Sequence, residues 1–266
     1  MTAALDLSTI PTTQVTPASA ARDIAVVTRR NLRRLARTPQ LLAFSTIQPV
    51  MFTLLFRYVF GGAIRTPGMP YVDYLMPGIF VQVVLFGGTT AVALATDLTS
   101  GMVDRFRSLP MARSAVLAGR TFADLARNVI TLVILLVVGS LVGFRFHNGP
   151  VAGLAGVLLV LAFGYAFSWL SAVVGLTVKD PETAQIAGLL PVFPFIFASS
   201  AFVPVRSMPG WMQAFAKVQP VSVLVNSVRA LTQGGPIYHS LWQAVAWIVV
   251  FLVFFVPLAV RRYRKL

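Results

Sequence analysis

Four arginines, Arg105, Arg107, Arg113 and Arg120, fall within sixteen residues, with Asp97 and Asp104 beside them. Planar guanidinium forks at this density make charge-assisted hydrogen bonds to carboxylates on a docked surface. Pro110 divides the group, because a proline pushes the residue before it, here Leu109, out of the helical region. The pattern predicts a helix, a fixed bend at Leu109–Pro110, and a second helix starting near Ser114. A basic, locally helical loop between two apolar runs faces the cytoplasm. There it is either a rigid element offered to a partner or simply a positive anchor; the charges alone fit both.

Chemistry of other kinds is missing. No G-x-x-x-x-G-K-[ST] occurs, so the sequence builds no P-loop for nucleotide phosphates. The two histidines, His147 and His239, are expected in outer loops and form no metal motif, and there are no cysteines. Ser199 and Ser200 lie in an apolar run without a histidine to activate them. The sequence therefore predicts no catalytic, cofactor-binding or metal site.

The elements that position these residues are membrane-length. The chain has 266 residues, 57% hydrophobic and 11% charged, against roughly 45–50% and 25% in a soluble domain. Six apolar segments approach the roughly 20 residues that cross a hydrocarbon core. They are expected near 41–60, 75–96, 122–144, 151–177, 185–203 and 241–260. The fifth holds Pro191 and Pro194 and is expected to be kinked or partly unwound. The third carries Asp124 and Arg127 in its first turns, at i and i+3, where they can form an interfacial ion pair. Charged groups otherwise sit at span ends, so a proton- or sodium-driven relay through the spans is not expected.

Upstream, residues 1–19 read as a disordered Thr-, Ala- and Pro-rich start without a signal-peptide h-region. Residues 20–38 read as a basic amphipathic helix on the membrane surface, and 39–266 as one transmembrane domain. With the amino terminus inside, fifteen of the 22 Lys and Arg residues fall on the cytoplasmic side. Arg57, Arg65, Arg145, Arg206, Lys217 and Arg229 fall outside, which sets the orientation and explains the net charge of +14 without a nucleic-acid partner. Between the fifth and sixth spans, apolar residues at helical spacing are interrupted by Pro209-Gly210, just before Trp211, and by Pro220. Two short helices that dip into the outer leaflet and return are expected there.

The wording of four segments adds a resemblance. DRFRSLPMARSAVLAGR (104–120) with a following run ending in VGFRF, YVDYLMPGI (71–79), FVPVRSMPGWMQAFAKVQPVS (202–222) and NSVRALTQGGP (226–236) occur in order. Together they resemble type-2 ABC exporter permeases of the daunorubicin/doxorubicin-resistance kind. The resemblance implies an all-α permease subunit of a bacterial plasma membrane, moving a hydrophobic or amphipathic drug, antibiotic or lipid outward. It implies two copies of a separate ATPase that bind the ATP and Mg, and a second permease copy or sister permease. It also points to Asp104, Arg105, Arg107, Pro110 and Arg113 as the ATPase-coupling loop. Export of lipid-linked polysaccharide on the same scaffold, or a membrane enzyme or scaffold without transport, are the competing readings.

Overall fold

The computed structural model describes residues 17–37, 39–64, 66, 68–86, 89–101, 113–178 and 180–265. Those residues form helices and connecting turns, with no strand among them. The first helix, α1 (Pro17–Arg37), opens three residues before the expected start, with a proline where the missing N–H costs nothing. It lies along the early turns of α5 (Arg113–Leu141). Val27 and Asn31 are buried in that contact, and Asn31 Nδ2 donates to the Gly119 carbonyl at 3.4 Å. Gly119 permits the approach, since a Cβ there would lie 2.7 Å from the Val27 side chain. Arg22, Arg29, Arg30, Arg33 and Arg37 are exposed.

Among the described residues, four segments are long and apolar enough to cross a membrane: Tyr71–Thr99, Val116–Leu141, Gly149–Thr177 and Tyr238–Lys265. The first comprises α3 (Tyr71–Phe86) and α4 (Thr89–Thr99); the others belong to α5, α6 (Gly149–Thr177) and α11 (Tyr238–Lys265). The first expected span is helical from α2 (Pro39–Leu55) through a π-turn at Phe56–Phe60. The fifth is two short helices, α7 (Pro181–Leu189) and α8 (Val192–Phe197), broken at Leu190–Pro191 and ended at Ala198. Prolines stop it because each lacks a donor and crowds the preceding turn. The Asp180 carboxylate caps α7 by accepting from the Thr183 N–H at 2.7 Å.

The 204–240 stretch holds α9 (Gly210–Val218) and α10 (Pro220–Gln233). Gly234 and Gly235, at φ of 92° and 121°, end α10 in a conformation that other residues rarely adopt.

Every residue of α3 from Tyr71 to Leu85 is buried. A helix that is apolar nearly all round belongs inside, and α3 is accordingly the axis of the larger core, packed by α2, α5, α6, α8 and α10, with α11 joining through α6 and α10. Gly78 lets the chain at Ala201 come close, since a Cβ there would lie 2.3 Å from the Ala201 carbonyl oxygen. A second core, at the other end of the bundle, joins Leu94, Leu117, Trp169, Leu176, Ala259 and Tyr263.

Candidate transport site

The expected coupling loop is only partly in view. Asp104, Arg105, Arg107 and Pro110 lie outside the described residues, and Arg113 is the first residue of α5. From Arg113 a single helix runs to Leu141, so any displacement at its start passes along an unbroken rod into the bundle.

Asp124 and Arg127 come together within α5, with Arg127 Nε 3.9 Å from Asp124 Oδ1. The pair lies about three turns into α5, which opens at Arg113, next to the expected start near Ser114. Both side chains are buried within the protein, on a helix whose early turns pack against α1. The Thr90 hydroxyl of α4 donates to Asp124 Oδ2, and Arg127 Nη2 donates to Asn128 Oδ1 at 3.1 Å. Such bonds offset the desolvation that would otherwise cancel the attraction of a buried pair.

Arg229, assigned by sequence to the segment between the fifth and sixth spans, lies there in α10 and is only 8% exposed. Its Nε and Nη2 donate to the Tyr74 carbonyl at 3.2 and 2.9 Å. Nη2 also donates to the Ser200 carbonyl at 2.8 Å, and Nη1 to Asn226 Oδ1 at 2.9 Å. The guanidinium lies 3.7 Å from the centre of the Tyr74 ring. One cation thus ties α10 to α3 and to the turn after α8. Sequence reasoning missed it; the only signal was an arginine interrupting an apolar helix stripe.

Asp73, expected at a span end, is in the first turn of α3 and buried. It accepts from the Arg145 backbone N–H at 3.2 Å, and His147 Nδ1 lies 3.8 Å away. His147 also meets Gln233 Oε1 at 2.7 Å, which fastens the α5–α6 turn to the end of α10. Among the described residues no three His, Cys, Asp or Glu side chains gather as a metal site. Ser199 and Ser200 are held in hydrogen bonds, Ser199 Oγ to the Ile196 carbonyl and Ser200 Oγ to Asn226 Oδ1.

The other expected site residues shape the outer segment. Pro209 precedes α9, Gly210 begins it, and Pro220 begins α10. Trp211 is 74% exposed and does not meet the buried clusters.

The more enclosed of two apolar openings could hold a compound. A cavity of about 240 Å³ lies among α3, α6, α7, α8, α10 and α11, lined by Leu85, Phe163, Phe167, Val192, Phe195 and Phe251 among others. A shallower groove between α2 and α5 is lined by Ile47, Met51, Ile130 and Ile134. No ionisable side chain lines either. Of the aromatic residues in α6 and α8, Phe163, Phe167 and Phe195 reach the enclosed cavity. Phe193 instead stacks on Phe197, and Tyr165 packs against Phe122.

Apolar helices of membrane-crossing length packed around an apolar cavity are the architecture of a membrane protein. Residues 22–232 match the family described as ABC-2 type transporter, and the chain belongs to it. It is 33% identical over 220 residues to the daunorubicin resistance ABC transporter permease protein DrrB1 of Streptomyces coeruleorubidus, covering 82% of this chain and 78% of that one. It is 28% identical over 241 residues to the probable doxorubicin resistance ABC transporter permease protein DrrC of Mycobacterium tuberculosis, covering 90% and 87%. A putative transport permease, ycf38, of Porphyra purpurea is 24% identical over 218 residues, covering 78% and 73%.

Proposed function

We propose that this ABC-2 permease is the membrane half of an ATP-driven exporter for a hydrophobic or amphipathic compound. It works with two copies of a separate ATPase and with a second permease copy or a sister chain. The observation that carries this reading is the likeness, over four fifths of the chain, to a permease named for daunorubicin resistance. The apolar cavity supports it, because an uncharged lining suits a compound that partitions into lipid. The sequence carries no P-loop, and in this reading ATP and Mg belong to the partner.

In this reading α2 with its π-turn is the first span and α7–α8 the fifth, which makes six crossings with both termini in the cytoplasm. Helices α9 and α10 are re-entrant from the outer face, with Trp211 at the headgroup level where indoles settle. Residues 103–114 receive the push from the ATPase and pass it to α5. Of the charged groups buried among the described residues, Asp73, Asp124, Arg127 and Arg229 each meet fixed polar groups, and Asp97 is buried near the end of α4. None faces the cavity, so they serve the architecture rather than a proton relay.

The test is reconstitution with and without a cognate ABC ATPase. Daunorubicin should accumulate in inverted vesicles only with the ATPase and ATP. The chain alone should hydrolyse no ATP. Accumulation by the chain alone under a proton or sodium gradient would overturn the reading.

A further inference from the structure

The enclosed cavity sits where the fifth apolar run breaks. The last turn of α7 (Ala187, Gly188), Pro191 and the first turns of α8 form one wall. Phe163 and Phe167 of α6 and Phe251 of α11 form the other. Phe195 and Pro191 are exposed at the same break.

Three properties narrow the occupant. Ser171 is the only polar side chain in the lining, so a charged group inside would lose its hydration without a partner. The volume of about 240 Å³ exceeds the roughly 150 Å³ that admits benzene. It falls short of the roughly 300 Å³ at which whole drug-sized ligands are held. Four phenylalanines from three helices surround it, with Phe251 centred 5.6 Å from Phe163 and 6.5 Å from Phe167. An acyl chain gains nothing by exchanging lipid for side chains that are no more apolar. A planar ring does gain, because phenylalanine faces and edges offer it stacked and edge-on contacts that lipid tails lack.

We propose that this cavity binds the uncharged aromatic ring system of the exported compound, about two or three rings, and leaves its polar substituents at the mouth. The assignment rests on the export reading above. Occupancy also has a route to the cytoplasmic side. A Cβ on Gly188 would lie 3.8 Å from the Ala91 side chain, and a Cβ on Gly175 only 2.4 Å from the Ala91 carbonyl oxygen. A ring against α7 therefore bears on α4, which ends at Thr99, shortly before the expected coupling residues.

The experiment measures binding of N-phenyl-1-naphthylamine, by its fluorescence gain, to the full chain in nanodiscs without any ATPase. Gly188→Leu and Ser171→Phe fill the cavity, Phe251→Leu keeps bulk but removes a ring, and Ile47→Phe alters only the α2–α5 groove. The expected result is saturable binding that weakens at least tenfold in either filling variant, severalfold in Phe251→Leu and not at all in Ile47→Phe. Melting temperatures identify any variant that misfolds, and the folded ones decide. No saturable binding, or binding unaffected by filling, overturns the site. Binding lost on filling but unchanged in Phe251→Leu assigns the cavity to a lipid chain and overturns the ring assignment. Probe binding as expected, in a chain that moves no compound with its ATPase, refutes the export reading and leaves the site standing. Transport with binding insensitive to filling does the reverse.

Discussion

The Arg229 guanidinium lies 3.7 Å from the centre of the Tyr74 ring and donates twice to the carbonyl of the same residue. The two positions are 155 residues apart in sequence. Through this contact the helix that follows Pro220 is fixed to the central helix of the bundle, and a third bond, to the Ser200 carbonyl, fixes it to the end of the fifth apolar run. An outer segment that is short and proline-broken becomes part of the core.

Removing that cation should therefore loosen the outer end. Arg229→Met deprives Tyr74 of both guanidinium donors and is expected to cost on the order of 3 kcal/mol, read as a lower melting temperature in nanodiscs. Arg229→Lys, a point charge without the fork, should fall between the two. An unchanged melting temperature in Arg229→Met would show that the contact carries no stability.

The Asp124–Arg127 pair calls for a cycle rather than a single change. Arg127→Met leaves a buried carboxylate and should destabilise by about 3–5 kcal/mol. Asp124→Leu combined with Arg127→Met should recover most of that loss, because neither charge then needs a partner. Losses that simply add would mean the two side chains act independently.

Energy transfer is assigned to the loop before α5. Arg105→Glu with Arg107→Glu should abolish ATPase co-purification and transport while membrane insertion persists, since glutamate cannot donate the guanidinium bonds and adds repulsion. The same reversal at the exposed Arg261 and Arg262 should spare ATPase binding. Normal assembly in the 105/107 variant would leave that loop as a topological anchor only.

Topology offers the last check. Reporters after residue 20, near 108 and after 266 should read cytoplasmic, and one near the exposed Lys217 should read external. A cytoplasmic signal at 217 would require an additional crossing and end the six-span arrangement.

Much of this was legible in the order of residues. Composition and run length settle a helical membrane protein, since only long apolar helices satisfy their own backbone in lipid. Pro191 and Pro194 announce the break between α7 and α8, and Pro220 with Gly234-Gly235 marks both ends of α10, because these residues act through their own backbone. The i, i+3 spacing of Asp124 and Arg127 announces their meeting for the same local reason. What spacing could not supply was burial. Asp124 is interior where Thr90 arrives from α4, and Arg229 is interior where Tyr74 of α3 and Ser200 of the turn after α8 arrive. The cavity likewise exists only where Phe163, Phe195 and Phe251 meet from three separate helices. Local conformation depends on neighbours along the chain; the desolvation of a charge and the shape of a void depend on neighbours in space, and those only packing decides.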